Sequence, residues 1–185
     1  MDIPISFKIY LLWKNLLNKK EDNNQIKISK EGKGARSILF FLPEKIQDAK
    51  IVNYLVKVEK PLPGYDIGLV CSEKSKIFYP HINNVKLFTF NDEDLNYFNT
   101  IKSASFMDKV RSKNYDAIVD LNTVFCAATT MLAFELDAPL KIGFDSIVNR
   151  KIFTITFASL SCYCDSLNNR RKCFYIPIGE RTDFL

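Results

Sequence analysis

The sequence has little glycine and a single histidine: its 185 residues include 6 Gly and 1 His, but 15 Phe. Scarce glycine excludes a low-complexity scaffold, and abundant phenylalanine argues against disorder. A phosphate-binding Gly-rich loop, an HExxH motif, a nucleophile elbow and a kinase signature are all missing. The sequence therefore does not fall into any of the enzyme classes that those motifs identify.

Cysteine is sparse and odd in number. The five cysteines are Cys71, Cys126, Cys162, Cys164 and Cys173. An odd set favours reduced thiols in a reducing compartment over a disulfide framework. The alternative, a metal site built from the three C-terminal cysteines, lacks a close fourth ligand and the usual pair spacing, since the one histidine is the distant His81. We predict no metal and no cofactor.

Long hydrophobic runs are also missing, and none reaches the length needed to span a bilayer. Residues 3–17 are rich in apolar side chains, but Lys8 and Lys14 interrupt them and no small-residue cleavage site follows. A secretory signal is therefore not indicated, and we predict a cytoplasmic protein.

Positive charge is concentrated near the amino terminus. The net charge is +5, and eight basic side chains oppose four acidic ones within the first 36 residues. The remainder of the chain is close to balanced. A basic arm favours an anionic partner, such as a membrane surface or a nucleic acid.

The arm has the pattern of an amphipathic helix. One broad face carries Ile9, Tyr10, Leu12, Trp13, Leu16 and Leu17, and the other carries Lys8, Lys14, Asn15, Asn18 and Lys19. Two interpretations stay open: residues 5–20 contact a membrane surface, or the helix docks on its own domain or on a second copy. Nucleic acid is disfavoured because the aromatic side chains do not lie among the lysines. Residues 20–35 are polar and contain glycine, so we divide the chain into an arm with its linker, 1–35, and one domain, 36–185.

Apolar strands and helical patterns alternate through that domain. The sequence predicts strands at 36–42, 66–71, 85–90, 115–120 and 139–144, with helices at 44–58, 103–113 and 123–136. Residues 152–160 and 173–178 are predicted as further strands, or as a strand and a short helix. Such alternation indicates right-handed βαβ units and a mostly parallel sheet. The predicted fold class is α/β, a Rossmann-like three-layer domain preceded by an amphipathic helix.

Two motifs in this order resemble a known family. Tyr115-Asp-Ala-Ile-Val-Asp120-Leu121 precedes a helix with small residues, and Ile142-Gly-Phe144-Asp145 follows it. This arrangement is similar to the N-terminal, acceptor-side domain of family 9 glycosyltransferases, the ADP-heptose:lipopolysaccharide heptosyltransferases and their relatives. The resemblance covers roughly residues 36–150. It extends back to the turn Lys45-Ile46-Gln47-Asp48, where the family has Ser-Leu-Gly-Asp.

The resemblance implies site residues. Asp48 matches the family's turn aspartate, the candidate general base that takes the acceptor's hydroxyl proton. The chain departs from the family at Gln47, which stands where the family has glycine. Independently of the family, side chains at or just beyond the carboxyl ends of the strands are candidates for acceptor binding: Lys45, Gln47, Asp120, Asn122 and Asp145. The alternatives are structural, since Asp48 suits a first helical turn and Asp120 and Asn122 suit helix capping.

The family's members have a second, donor-binding domain, and only 41 residues follow Phe144 in this sequence. We therefore expect an acceptor-side domain in cell-envelope glycan or lipopolysaccharide metabolism. It would act with a separate donor-binding domain or a second copy, or bind an acceptor without catalysis, peripheral to the inner membrane. The alternative is a non-catalytic interaction domain that kept the fold, with a crevice filled by side chains such as Phe41 and Gln47.

Overall fold

The computed structural model describes residues 7–10, 34–55, 64–80 and 85–157. Its strands are β1 (Ser37–Phe41), β2 (Asp66–Ser72), β3 (Lys86–Phe90), β4 (Ala117–Asp120), β5 (Leu140–Phe144) and β6 (Ile155–Phe157). Its helices are α1 (residues 7–10), α2 (Ile46–Leu55), α3 (Ala104–Arg111), α4 (Ala127–Glu135) and α5 (Asn149–Ile152), with 3₁₀ turns at Lys76–Phe78 and Asp92–Asp94.

The six strands form one sheet in the order β3-β2-β1-β4-β5-β6, and every adjacent pair is parallel. This confirms the predicted α/β, Rossmann-like class. β1 pairs with β2 on one side and β4 on the other, so the chain direction across the sheet reverses between β1 and β4. In an open parallel sheet, a crevice forms at the carboxyl ends of the two strands that flank such a switch point.

The sheet is packed on both faces. The larger core cluster joins β1 to β4 with α3 and α4, and includes Leu39, Phe41, Val110, Ile118 and Leu132, all at most 1% exposed. The smaller cluster lies on the opposite face, where Ala49 and Val52 of α2 meet Leu69 and Tyr79. Strands covered on both faces explain why the sequence shows continuous apolar runs there.

Most boundaries differ from prediction by one to three residues, and two differences need a physical account. The helix predicted from Thr123 begins at Ala127, because Asn122 and Thr123 lie in a connection whose side chains make tertiary hydrogen bonds. The strand predicted at 152–160 begins three residues later, at Ile155, after the short helix α5, and residues 158–160 lie outside the described residues. The strand predicted at 173–178 lies outside the described residues.

The described part of the arm docks on the domain. Phe7 is 2% exposed and packs with Met131 and Val148, with its ring centroid 4.9 Å from that of Phe125. Tyr10 stacks on Phe98 at 5.0 Å. Ile9, which was predicted on the same face as Tyr10, is 61% exposed, and the residue buried against the domain is Phe7. In the part of the chain that the structure describes, no helix is long and apolar enough to cross a bilayer.

Candidate functional site

The turn after β1 brings Asp48 to the switch point. Asp48 lies in the first turn of α2 and is half-buried. The hydroxyl of Thr123, in the connection that follows β4, donates a hydrogen bond to Oδ2 of Asp48. The two residues are 75 positions apart in sequence and meet because β1 and β4 are neighbours in the sheet. The Asp48 carboxylate is therefore held at the crevice by a residue from the connection after β4, on the other side of the switch point.

A second polar cluster lies at the carboxyl end of β4. Oδ1 of Asp120 accepts hydrogen bonds from the backbone N–H of Asn122 at 3.0 Å and from its side-chain amide at 2.7 Å. Oδ2 accepts from the hydroxyl of Thr129 at 3.1 Å. Burial raises the pKa of Asp120 to about 6, although these hydrogen bonds favour its ionised form.

This cluster ties the end of β4 to the first turn of α4. Asp120 is 4% exposed and Asn122 is 9% exposed. Neither residue caps α4, whose N-cap is Cys126 without a side-chain hydrogen bond, so the predicted capping role is wrong. Contact of Asp120 and Asn122 with an acceptor stays a prediction.

The other predicted acceptor-binding residues occupy different positions along the carboxyl edge. Lys45 and Gln47 are exposed at the start of α2. Asp145 follows β5 and accepts hydrogen bonds from Nε and an Nη of Arg150 at 2.6 and 2.5 Å, and these hold the pKa of the Asp145 carboxyl below its usual value. Asp145 is thus committed to an ion pair and is not placed against Asp48 by any observed contact.

A cavity of about 940 Å³ opens at the same edge, beside the switch point. Its walls come from the connections that follow β1, β2 and β3, from the start of α4 and from Phe7 of α1. None of the predicted site residues lines it; Glu44, next to Lys45, does.

Thr123 and the cavity walls were not predicted. Thr123 had been assigned to a helix, where its hydroxyl would have no special role. A threonine directly after a strand-end Asp-Leu-Asn run is the signal that could have placed it at the crevice.

The two described cysteines lack the features of a reactive thiolate. Cys71 and Cys126 are free thiols, and burial raises the pKa of each to about 11. Within the described ranges, no three His, Cys, Asp or Glu side chains are grouped to hold a metal ion. His81 and the three C-terminal cysteines lie outside those ranges, so the prediction about them stays a prediction.

Comparison with known proteins gives limited results. No protein-family model and no curated protein matches the sequence. Among solved structures, Escherichia coli heptosyltransferase WaaC with ADP is similar over 66% of this chain and 40% of its own, with 16% identity and a TM-score of 0.46. A family 9 glycosyl transferase from Veillonella parvula DSM 2008 is similar over 66% of this chain and 36% of its own, with 18% identity and a TM-score of 0.48. HAL3 from Cryptococcus neoformans is similar at 15% identity and a TM-score of 0.34, over 62% of this chain and 73% of its own.

The chain spans about two-fifths of the length of the heptosyltransferase it resembles. At these identities and TM-scores the likenesses do not bear on activity, because Rossmann-like sheets host many unrelated functions. Any functional argument must come from the residues of this chain.

Proposed function

We propose that this chain is the acceptor-side domain of a heptosyltransferase-like glycosyltransferase and acts with a separate donor-binding domain or a second copy. The observation that carries the proposal is the Asp48 carboxylate, held at the switch-point crevice by the Thr123 hydroxyl. The sequence supports it through the order of the Tyr115–Asp120 strand, the buried helix and the Ile142–Phe144 strand.

The chemistry needs a base beside the acceptor hydroxyl. In transfer with inversion, the acceptor oxygen attacks the anomeric carbon of the donor sugar, its proton passes to a carboxylate, and the bond to the nucleotide diphosphate breaks with the electron pair leaving on phosphate oxygen. Asp48 suits the base because the Thr123 hydroxyl orients one carboxylate oxygen and Oδ1 can take the proton. Asp120 is the poorer candidate because it is 4% exposed and both its carboxylate oxygens already accept hydrogen bonds.

The place of action follows from the resemblance and from the arm. We propose a role in cell-envelope glycan or lipopolysaccharide metabolism, at the inner face of a membrane that residues 5–20 contact. Two observations support contact by the outer side of α1: Lys8 is exposed, and Ile9 is 61% exposed.

A thermal-shift screen with ADP-, UDP- and GDP-sugars tests the crevice. A ligand that binds only the folded state raises the midpoint, by about 2.7 kcal/mol of stability at one hundred times Kd. We expect a shift of a few degrees with one sugar nucleotide, weakened in Asp48→Asn and Thr123→Val. Asp108→Asn, an exposed acid on α3, is the matched control and should keep the full shift. An equal shift in Asp48→Asn would contradict the role of Asp48, and no shift with any ligand would favour the non-catalytic interaction domain.

The alternative, a non-catalytic interaction domain, is favoured by one feature of the surface. Each of four connections that follow carboxyl ends of strands exposes a large apolar side chain: Ile46 at 48%, Ile77 at 77%, Tyr97 at 93% and Ile147 at 70%. Exposed apolar groups on one edge are typical of a surface that another protein covers. For such a domain we expected a crevice filled by Phe41 and Gln47. Gln47 is exposed instead, and Phe41 belongs to the core.

Self-association through this edge can be measured directly. We expect a concentration-dependent dimer by sedimentation velocity, lost in the Ile77→Ser/Tyr97→Ser double variant. Ile51→Ser, on α2 and 62% exposed, is the control and should leave the dimer intact. A monomer at every concentration would exclude a second copy as the partner.

A further inference from the structure

The cavity beside the switch point has walls of two chemical kinds. Five of its lining residues are aromatic: Phe7, Phe90, Tyr97, Phe98 and Phe125. Four others are acidic: Glu44, Glu73, Asp92 and Glu93. They surround a volume of about 940 Å³, which accommodates a small organic ligand.

The charge of this cavity is opposite to that of the chain. Among the described lining residues the one lysine is Lys74, which pairs with Asp92 at 2.5 Å. Four carboxylates less one ammonium leave a formal charge of −3 in the lining, whereas the whole chain carries +5. A hydrogen bond with Thr89 keeps the pKa of Glu73 below its usual value. Glu73 also pairs with Lys76, which lies 3.3 Å away and outside the lining, so the charge with this lysine counted is −2.

The N-terminus of α4 also lines the cavity and contributes positive charge, opposite in sign to the carboxylates. A helix N-terminus carries the equivalent of roughly half a positive charge. Half a positive charge does not offset the remaining two negative charges, so the cavity attracts cations and repels anionic groups.

The aromatic side chains form a connected group. The Phe7 ring meets the Phe125 ring edge-on, with centroids 4.9 Å apart. Phe98 stacks on Tyr10 at 5.0 Å and meets Tyr97 edge-on at 5.7 Å. Phe7 is 2% exposed, so it holds the Phe125 ring in place but offers a ligand almost no ring surface of its own. Aromatic faces attract organic cations, and most strongly where carboxylates stand nearby.

We propose that this cavity binds a ligand bearing an organic ammonium group. If the chain is an acceptor-side domain, the acceptor presents an amino sugar or a similar cationic group here. The assignment of this ligand as the acceptor rests on the proposed function. The preference of the cavity for a cation does not.

Calorimetric titration with choline tests the charge preference. The control ligand is its neutral analogue, in which carbon replaces the quaternary nitrogen and the shape is unchanged. We expect choline to bind roughly tenfold more tightly than the analogue. Glu44→Gln/Glu93→Gln should reduce that ratio, and Asp108→Asn should leave it unchanged. Equal binding of the two ligands, or an unchanged ratio in the double variant, would overturn the inference.

Glucosamine and glucose, compared below neutral pH where the amine is protonated, separate this inference from the proposed function. Tighter binding of glucosamine, lost in Glu44→Gln/Glu93→Gln, supports both. Binding of choline without either sugar supports the ammonium site and counts against a sugar acceptor. Equal binding of both sugars without choline supports a sugar acceptor and overturns the ammonium site.

Discussion

Tyr79 and Tyr115 both lie in the core at 4% exposure, but their hydroxyl groups differ in hydrogen bonding. The Tyr79 hydroxyl donates to the carbonyl oxygen of Pro43 at 2.8 Å. The Tyr115 hydroxyl is buried without a hydrogen-bond partner among the described residues, and burial raises its pKa to about 12. A buried hydroxyl that is left unpaired costs about 1–3 kcal/mol.

Removing each hydroxyl should therefore have different effects. We expect Tyr79→Phe to lower the free energy of unfolding by about 1 kcal/mol, because it deletes a formed hydrogen bond. Tyr115→Phe should leave it unchanged or raise it by up to about 1 kcal/mol, because it deletes an unpaired polar atom. Urea denaturation of the two variants measures both changes. An equal loss in the two would contradict the assignment for Tyr115.

The buried carboxyl of Asp120 makes stability depend on pH. Its pKa is about 6 in the folded protein against 3.8 ordinarily, so between these values the folded chain binds more protons than the unfolded chain. Stability from this group is fully present below pH 3.8 and is lost as pH rises through about 6. The predicted loss is on the order of 3 kcal/mol at 1.36 kcal/mol per pKa unit.

Asp120→Asn should remove this decline. Thr129 can turn its hydroxyl toward the carbonyl of Cys126, 3.4 Å away, and so accommodate the amide. We expect the variant to gain stability relative to the native chain as pH rises from 4 to 6, and to keep that gain above it. Urea midpoints across this range measure the effect, with Asp108→Asn as the control. Parallel pH profiles for the two proteins would refute it.

The position of Asp48 was predictable and its partner was not. A polar residue just beyond an apolar run must lie at the carboxyl edge of a parallel sheet, whatever the rest of the fold does. The contact with Thr123 depends on the spatial order of β1 and β4, and the pairing of Asp145 with Arg150 depends on the path of α5. The local sequence pattern predicts neither of these two contacts.

Among the elements, β5 contains a glycine whose role is steric. A Cβ at Gly143 would lie 3.1 Å from the ring of Phe153, which covers this part of the strand. We expect Gly143→Ala to cost about 1–3 kcal/mol, because the ring is buried in the larger core cluster and has little room to shift. Gly34→Ala is the matched control, since a Cβ there has nothing within 4 Å. Thermal unfolding of the two variants checks the difference, and equal midpoints would contradict it.

Element types followed from the sequence better than element ends did. Continuous apolar runs identified the strands β1 to β5, because parallel strands that are buried on both faces show no alternation of polar and apolar residues. The late start of α4 was not predictable, because the hydrogen bond that holds Thr123 outside the helix runs to Asp48, 75 positions earlier in the chain. The 3₁₀ turns are too short to give a periodic signal.

At the scale of the whole molecule, α1 is tied to the body through Phe7. Its side chain is 2% exposed against Phe125, Met131 and Val148. Replacing a buried phenylalanine with alanine typically costs about 3–5 kcal/mol. We expect Phe7→Ala to lose about that much in urea denaturation, whereas Ile9→Ser, at an exposed position, should lose almost nothing. If Phe7→Ala left the free energy of unfolding unchanged, the arm would not dock in solution.

The proposed membrane contact would use a different side of α1 from docking, so one does not exclude the other. Phe7 and Tyr10 face the body, while Lys8 is exposed and Ile9 is 61% exposed. A basic side chain beside an apolar one at the surface favours an anionic bilayer, with each lysine contributing about 1 kcal/mol near such a surface. We expect the full chain to sediment with vesicles of anionic lipid and a chain beginning at Gly34 not to. Lys8→Glu/Ile9→Ser should weaken sedimentation without lowering the unfolding midpoint, which separates lipid contact from docking. Equal sedimentation of the full and shortened chains would place any membrane contact elsewhere than the arm.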